Sequence, residues 1–334
     1  MIRSLIRPLA TLGGALVAIL AAPPMALAQT DNYPNRPISI IVPLAPGGVA
    51  DTVIRPVAQK VAEQMNASII VENRPGGGGN VASIAAKQAA PDGYTLFLTN
   101  NGPFAVNPHL FPKLGFDPVK DFKPITTVVT FPSVLAVPAS SPAKTTADLI
   151  EMAKAKSKSG GITYGSQGLG SGGHINAEMF GLAIGAPLVH IPYKGSGQAV
   201  GDLAAGRFDF IFAGYLSVQG LTEDKRVRLL GITSPKRSPS LPDLPTLTEQ
   251  GYPEVELDVW HALVAPAGTP DAIVKRLNAE FVKALQDPKI KELINSRAAV
   301  VGADSPEELG QRIASDLKRM GQVVRDAKIS VQQK

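Results

Sequence analysis

The 334-residue sequence contains no cysteine. Without thiols the protein has no disulfide bond, no thiolate metal site and no cysteine nucleophile. Its folded core must therefore be stable through packing alone.

Sequence motifs of the common enzyme classes are also missing. There is no Gly-x-Ser-x-Gly elbow, no P-loop lysine and no His-x-x-x-His metal pair. The histidines are scattered along the chain at His109, His174, His190 and His261. We expect structural, hydrogen-bonded roles for them, with His174 the one to test as a ligand contact. We predict no catalytic residue, no metal, no cofactor and no enzymatic activity.

Positive charge is in slight excess, with 33 basic and 28 acidic residues. The basic residues form no stripe, and the densest group, Lys225–Arg228, is expected to be a solvated turn. We therefore predict no nucleic-acid partner. A mildly positive surface suits a small anionic ligand, but an excess this small does not decide the matter.

A long apolar run occurs once, at the N-terminus. Leu9 to Ala22 is an uncharged run of 14 residues, preceded by Arg3 and Arg7 and followed by Ala26-Leu27-Ala28. This order, with its small-x-small cleavage pattern, predicts a secretory signal peptide over 1–28 and a mature protein exported to the periplasm. The alternative is a membrane anchor, but a spanning helix needs roughly 20 apolar residues.

After a short polar leader, strands and helices alternate. Apolar strands are predicted at Ile38–Val42, Ser68–Val71 and Tyr94–Thr99, with helices opening at Asp51 and over 81–89. Apolar strands separated by helices predict a parallel sheet with helices on its faces.

The alternation restarts after about residue 130. Two apolar extended stretches, Ile125–Val137 and Val255–Val264, then look like crossings between two lobes. We predict an α/β fold of two lobes, each a mainly parallel sheet flanked by helices, joined by two crossover hinge strands. Lobe one comprises 29–130 and 256–334, lobe two comprises 131–255, and the C-terminal helices pack back on lobe one.

The first candidate ligand turn follows the strand Ile38–Val42. It contains Leu44, Ala45, Pro46, Gly47, Gly48 and Asp51. Glycines expose backbone N–H groups, and the positive end of the next helix points at the turn, so the turn suits a carboxylate or phosphate. The alternative is that Asp51 only caps its helix and the glycines only turn the chain.

The second candidate turn is the glycine-rich segment between a strand ending at Tyr164 and a helix. Its spacing Gly168-x-Gly170-x-x-Gly173 matches the dinucleotide pattern weakly, because no acid follows the next strand to hold a ribose. Free amides, two hydroxyls and a helix N-terminus instead predict a carboxylate cradle. The candidate contacts are Ser166, Gly168, Gly170, Ser171 and His174. A protonated His174 would add charge and make affinity rise as pH falls.

The third candidate turn carries the side-chain amides of Asn100 and Asn101 at the end of a lobe-one strand. These amides can donate to a ligand oxygen. A plain turn, in which asparagine bonds its own backbone, explains them equally well.

Several segments in a fixed order resemble those of one known family. They are Pro43–Asp51, Val71–Asn80, Pro91–Thr95, Asp117–Phe122, Tyr164–His174, Pro192–Gly195, Arg237–Asp243 and Ala265–Pro270. Together they resemble the Bug (TctC) family of periplasmic receptors of tripartite tricarboxylate transporters.

The resemblance implies a periplasmic binding protein fold whose lobes close over a small carboxylated molecule. The ligand would be an organic acid, an aromatic acid or an acidic amino acid, contacted by the turns Pro43–Asp51 and Ser166–His174, the first partly through water. A monomer delivering it to a cognate two-component membrane permease is expected.

Departures from the family pattern occur near the expected pocket. Leu44 and Ala45 stand where an aromatic residue and a second proline are common, Asn100 and Asn101 where Ser or Thr is common, and Tyr215 where a smaller polar residue is usual. These departures bear on which ligand is bound rather than on its chemical class.

An exported α/β enzyme and a ligand sensor are the functions that compete with that of a transport receptor.

Overall fold

The computed structural model describes residues 32–47, 49–193 and 195–330, and the predicted signal peptide lies outside them. The elements below belong to a unit that begins at Pro34. In chain order the strands are β1 (Ile38–Val42), β2 (Ile69–Asn73), β3 (Thr95–Asn100), β4 (Phe122–Phe131), β5 (Ser133–Pro138), β6 (Ile162–Ser166), β7 (Leu188–Pro192), β8 (Phe210–Gly214), β9 (Val227–Ile232), β10 (Val259–Pro266) and β11 (Val300–Val301).

The helices, in the same order, are α1 (Val49–Met65), α2 (Asn80–Lys87), α3 (Asn107–Leu110), α4 (Thr146–Lys156), α5 (Gly172–Ile184), α6 (Ser196–Ala204), α7 (Tyr215–Glu223), α8 (Asp271–Leu285), α9 (Pro288–Asn295) and α10 (Pro306–Asp326). Among the residues described, no helix combines the length and apolar character that crossing a bilayer requires.

The strands form two sheets. Sheet one has the order β11-β4-β10-β3-β1-β2 and sheet two the order β7-β6-β8-β5-β9. In sheet one Ile40 of β1 lies opposite Val71 on one side and Leu96 on the other, both in parallel register. Helices flank both sheets, as the α/β fold class predicts.

The directions of the strands differ from the prediction of mainly parallel sheets. Each sheet combines parallel and antiparallel pairings. β1, β2 and β3 are mutually parallel in sheet one, as are β6, β7 and β8 in sheet two. Every pairing of β4, β5, β9, β10 or β11 with another strand is antiparallel. Neighbouring parallel strands must be joined by a crossover connection, usually a helix. Here the chain passes directly from β4 in sheet one to β5 in sheet two, and it later returns from sheet two into β10 of sheet one.

Each sheet has its own apolar core. Phe97, Phe104 and Trp260 of the sheet-one side are buried together with Leu309 and Ile313 of α10. The C-terminal helix α10 therefore packs against the first sheet. The sheet-two core includes Tyr164, Phe180, Phe210 and Phe212.

The chain crosses between the sheets at two adjacent places. Only Pro132 separates β4 of sheet one from β5 of sheet two, and residues 256–258 lead back into β10. Thr233, just after β9, connects the two crossings. Its Oγ1 accepts from the Ser133 N–H at 2.9 Å and donates to Asp258 Oδ1 at 3.1 Å. The crossings therefore lie side by side in a hydrogen-bonded unit.

Candidate functional site

A cavity of about 400 Å³ lies between the two sheets, bordered by Pro132 of the first crossing and by Val259, where β10 begins after the second. It opens at the carboxyl ends of β3, β6 and β8, which is where ligands bind in open α/β sheets. Its lining comprises Leu44, Gly78, Asn100, Asn101, Gly102, Asn107, Phe131, Pro132, Ser133, Gln167, Leu169, Gly170, Ser171, Gly172, Gly173, Ser196, Ala213, Gly214, Tyr215, Leu216, Ser217, Val259, His261 and Arg297.

Three helices of the sheet-two side begin at this cavity. Gly172 and Gly173 open α5, Ser196 opens α6, and Tyr215 to Ser217 open α7. Among the residues that the structure describes, no side chain caps α6 or α7, so the first N–H groups of these helices have no side-chain acceptor there. Helix N-termini carry partial positive charge and unsatisfied N–H donors, which together favour an anion.

The glycine-rich turn before α5 approaches the sheet-one side closely. Gly168 and Gly170 have φ of 122° and 74°, a left-handed conformation that disfavours other residues. A Cβ added to Gly170 would lie 3.1 Å from Leu110 Cδ1 of α3. Leu110 in turn shares an apolar cluster with Ile175 of α5. The turn therefore forms part of the contact between elements of the two sheets.

Ser166 and His174 lie beneath this turn and do not line the cavity. Ser166 Oγ is 2.7 Å from His190 Nε2 and accepts from the Gly168 N–H at 3.0 Å. His174 Nδ1 accepts from the Gly170 N–H at 3.0 Å, and the His174 and His190 rings stack with centroids 4.1 Å apart. These side chains hold the shape of the turn from below.

Both stacked histidines are neutral at physiological pH. Burial lowers the pKa of His174 to about 3, with a further contribution from the neighbouring His190, and burial lowers the pKa of His190 to about 4. The expectation that a protonated His174 strengthens binding as pH falls is therefore wrong. A protonated Nδ1 would also lose the ability to accept from Gly170.

The first predicted turn reaches the cavity through Leu44 alone among its described residues. Ala45, Pro46 and Gly47 are exposed and do not line it, and Gly48 lies outside the described residues.

Asp51 has a structural role beneath this turn. It is buried and accepts from the Gly47 N–H at 3.0 Å, from Arg55 Nε at 3.0 Å and from Asn73 Nδ2 at 2.9 Å. Burial alone would raise the pKa of Asp51, but these hydrogen bonds and the Arg55 charge outweigh it and lower the pKa. Asp51 therefore holds the turn as a carboxylate.

Asn100 and Asn101 line the cavity and also make local bonds. Asn100 Oδ1 accepts from the Gly102 N–H at 2.8 Å, and Asn101 Nδ2 donates to the Asp258 carbonyl at 3.3 Å. The Asn101 bond connects this turn to the second crossing. Tyr215, in the first turn of α7, is the remaining predicted residue that lines the cavity, together with Gly170 and Ser171.

Sequence reasoning missed several polar lining residues. They include Ser133, Gln167, Ser196, Ser217, His261 and Arg297. The start of α6 or α7 directly after a strand is a signal that could have identified Ser196 and Ser217. His261 and Arg297 carry no local signal, because only the return of the chain through the second crossing brings them here.

Two mixed α/β sheets, joined by two crossings beside a shared cavity, define the class of two-lobed solute-binding proteins. The comparison with known sequences then specifies the family. The chain belongs to the tripartite tricarboxylate transporter family of receptors, TctC, whose sequence model matches residues 53–329. The resemblance drawn from the sequence is confirmed, and the family is one of receptors rather than enzymes.

Individual relatives are similar over nearly their full length. Protein BugT of Bordetella pertussis is 34% identical over 323 residues, which cover 96% of this chain and 97% of BugT. An R. palustris protein solved with adipate is 32% identical with a TM-score of 0.80, covering 90% of this chain and 100% of its own. MatC from Rhodopseudomonas palustris, solved with bound malate, is 28% identical with a TM-score of 0.76, covering 87% and 100% of the two chains.

Proposed function

We propose that the protein is a periplasmic receptor that captures a small carboxylated organic molecule in the cavity and delivers it to a cognate two-component membrane permease. The observation that carries this proposal is the convergence of the N-termini of α5, α6 and α7 on one cavity. A carboxylate would accept from their backbone N–H groups and interact favourably with the helix dipoles.

The relatives support the same ligand class. One structural neighbour was solved with adipate and another with malate, and both ligands are dicarboxylates. The signal-peptide pattern over 1–28 and the periplasmic description of neighbours support export to the periplasm. We expect a monomer, because each chain carries both walls of the cavity.

We assign residues 29–130 and 256–334 to lobe one and residues 131–255 to lobe two. In this proposal the lobes close on the ligand by rotation at Pro132 and at residues 256–258, where the chain crosses between the sheets. The Thr233 bonds to both crossings would keep them moving together.

The test separates binding from turnover and from sensing. A thermal-shift screen over dicarboxylates, aromatic acids and acidic amino acids should yield a stabilising ligand. At ~100 times its dissociation constant the ligand adds ~2.7 kcal/mol of stability. Isothermal titration should show binding without product, and a deletion strain should lose uptake of that acid. Sustained product formation, or unchanged uptake, would contradict the receptor function.

A charge placed at one of the helix N-termini tests the anionic nature of the ligand. Ser217→Asp adds a carboxylate to the first turn of α7 inside the cavity, so repulsion should weaken binding of the acid at least about tenfold. Ala147→Asp adds the same charge to the first turn of α4, which does not line the cavity. That control should bind like the wild type. Equal affinity of both variants would count against a carboxylate at α7.

A further inference from the structure

Arg297 is the one formally charged side chain among the described residues that line the cavity. It follows α9 and precedes β11, which pairs with Val129 and Thr130 of β4 next to the first crossing. The arginine therefore belongs to the sheet-one side, whereas the converging helix N-termini belong to the sheet-two side.

The backbone around Arg297 is held in a tight turn. The Arg297 N–H donates to the Ile294 carbonyl at 3.1 Å, and the Ala298 N–H donates to the Asn295 carbonyl at 2.9 Å. Ala298 has a left-handed φ of 52° and is buried, as is Ala299. A buried, hydrogen-bonded turn of this kind keeps the base of the arginine side chain in one place.

The guanidinium has few partners of its own. Nη1 donates to the Leu293 carbonyl at 3.1 Å, and Arg297 forms no ion pair within the part of the chain that the structure describes. A guanidinium has five N–H donors in a planar fork suited to a carboxylate. A half-buried guanidinium that has no acidic partner is stabilised when an anion binds next to it.

We infer that Arg297 forms a second anion subsite, which selects ligands carrying a second carboxylate. This inference rests on the proposed function, in which the helix N-termini take the first carboxylate. Phe131 and Val259 also line the cavity, and they provide apolar contacts for the hydrocarbon part of such a ligand. Arg297 is thereby the residue that distinguishes dicarboxylates from monocarboxylates in this cavity.

The test compares matched acids on matched variants of the full mature chain. Isothermal titration is carried out with succinate, glutarate and adipate and with the monocarboxylates butanoate, pentanoate and hexanoate. Arg297→Gln should weaken the best diacid at least about tenfold, the effect of losing a hydrogen bond to a charged group. It should leave monocarboxylate affinity unchanged. Arg297→Lys keeps the charge but not the fork, and should fall between the two.

A control variant and the competing outcomes make the result decisive. Arg276→Gln removes the same charge from an exposed position on α8 and should bind every acid like the wild type. Circular dichroism confirms that each variant is folded. If Arg297→Gln loses affinity for diacids and monoacids equally, or loses no affinity at all, the inference is overturned while the receptor function stands. Wild-type binding of monoacids but no diacid would do the same. If no carboxylate binds, both proposals fail.

Discussion

Gly170 offers a quantitative test of how the glycine turn contributes to binding, because its conformation and its neighbours are both defined. Its φ of 74° is left-handed, and a Cβ there would lie 3.1 Å from Leu110 Cδ1 on the sheet-one side. An alanine in this conformation costs about 1–2 kcal/mol of folding stability. A leucine must in addition displace Leu110, and such overpacking costs about 1–3 kcal/mol.

The two costs affect different equilibria. The backbone strain is present whenever the chain is folded, so it lowers the free energy of unfolding. In the proposed hinge motion, the Gly170 turn and Leu110 separate when the lobes open, so the clash with Leu110 acts on the closed state and weakens binding of a ligand that closes the lobes. For Gly170→Leu this corresponds to a rise in the dissociation constant of about 5- to 150-fold. Urea unfolding and isothermal titration measure the two effects separately.

Gly185 is a matched control at the other end of the same helix, α5. It has a left-handed φ of 66°, and a Cβ there would meet no atom within 4 Å. Gly185→Leu should therefore lower the free energy of unfolding by a similar backbone term and leave the dissociation constant unchanged. If Gly170→Leu binds the acid as tightly as Gly185→Leu does, the turn is not part of the closed binding site.

Two further predictions concern pH and lobe closure. His174 and His190 take up protons near pH 6.5 when unfolded, but only near pH 3 and pH 4 when folded. The unfolded state then binds more protons, so stability should be fully present above about pH 6.5 and fall steadily as pH drops below it. His190→Gln should flatten that dependence in urea unfolding, and an unchanged slope would contradict the assignment. Small-angle scattering should show a smaller radius of gyration on adding the acid, and an unchanged radius with ligand demonstrably bound would argue against hinge closure.

Features that depend on neighbouring residues could be predicted from the sequence. The strand Ile38–Val42 is at its predicted position, and α10 begins at a local sequence pattern, the capping box in which Ser305 and Glu308 bond each other's backbone. Both rest on local periodicity or local hydrogen bonds. The glycine-rich turn after β6 and the asparagine turn after β3 both line the cavity, and both could be identified from local composition, whereas the turn after β1 reaches it through Leu44 alone among its described residues.

Features that depend on contacts between distant parts of the chain could not be predicted. The antiparallel direction of β10 follows from its route back from sheet two, and Arg297 reaches the cavity because β11 pairs with β4. The orientation of Ser166 and His174 depends on His190, 24 and 16 positions away, with which both make contact. Sequence spacing identifies the turn that carries them, but not the side that faces the ligand.

The most direct test of the central claim is a crystal structure of the mature protein with the acid that gives the largest thermal shift. We predict that a carboxylate of this ligand accepts hydrogen bonds from backbone N–H groups in the first turns of α5, α6 or α7. The lobes should be closed around it. A carboxylate bound outside the cavity, or held there without any of these N–H groups, would contradict the claim.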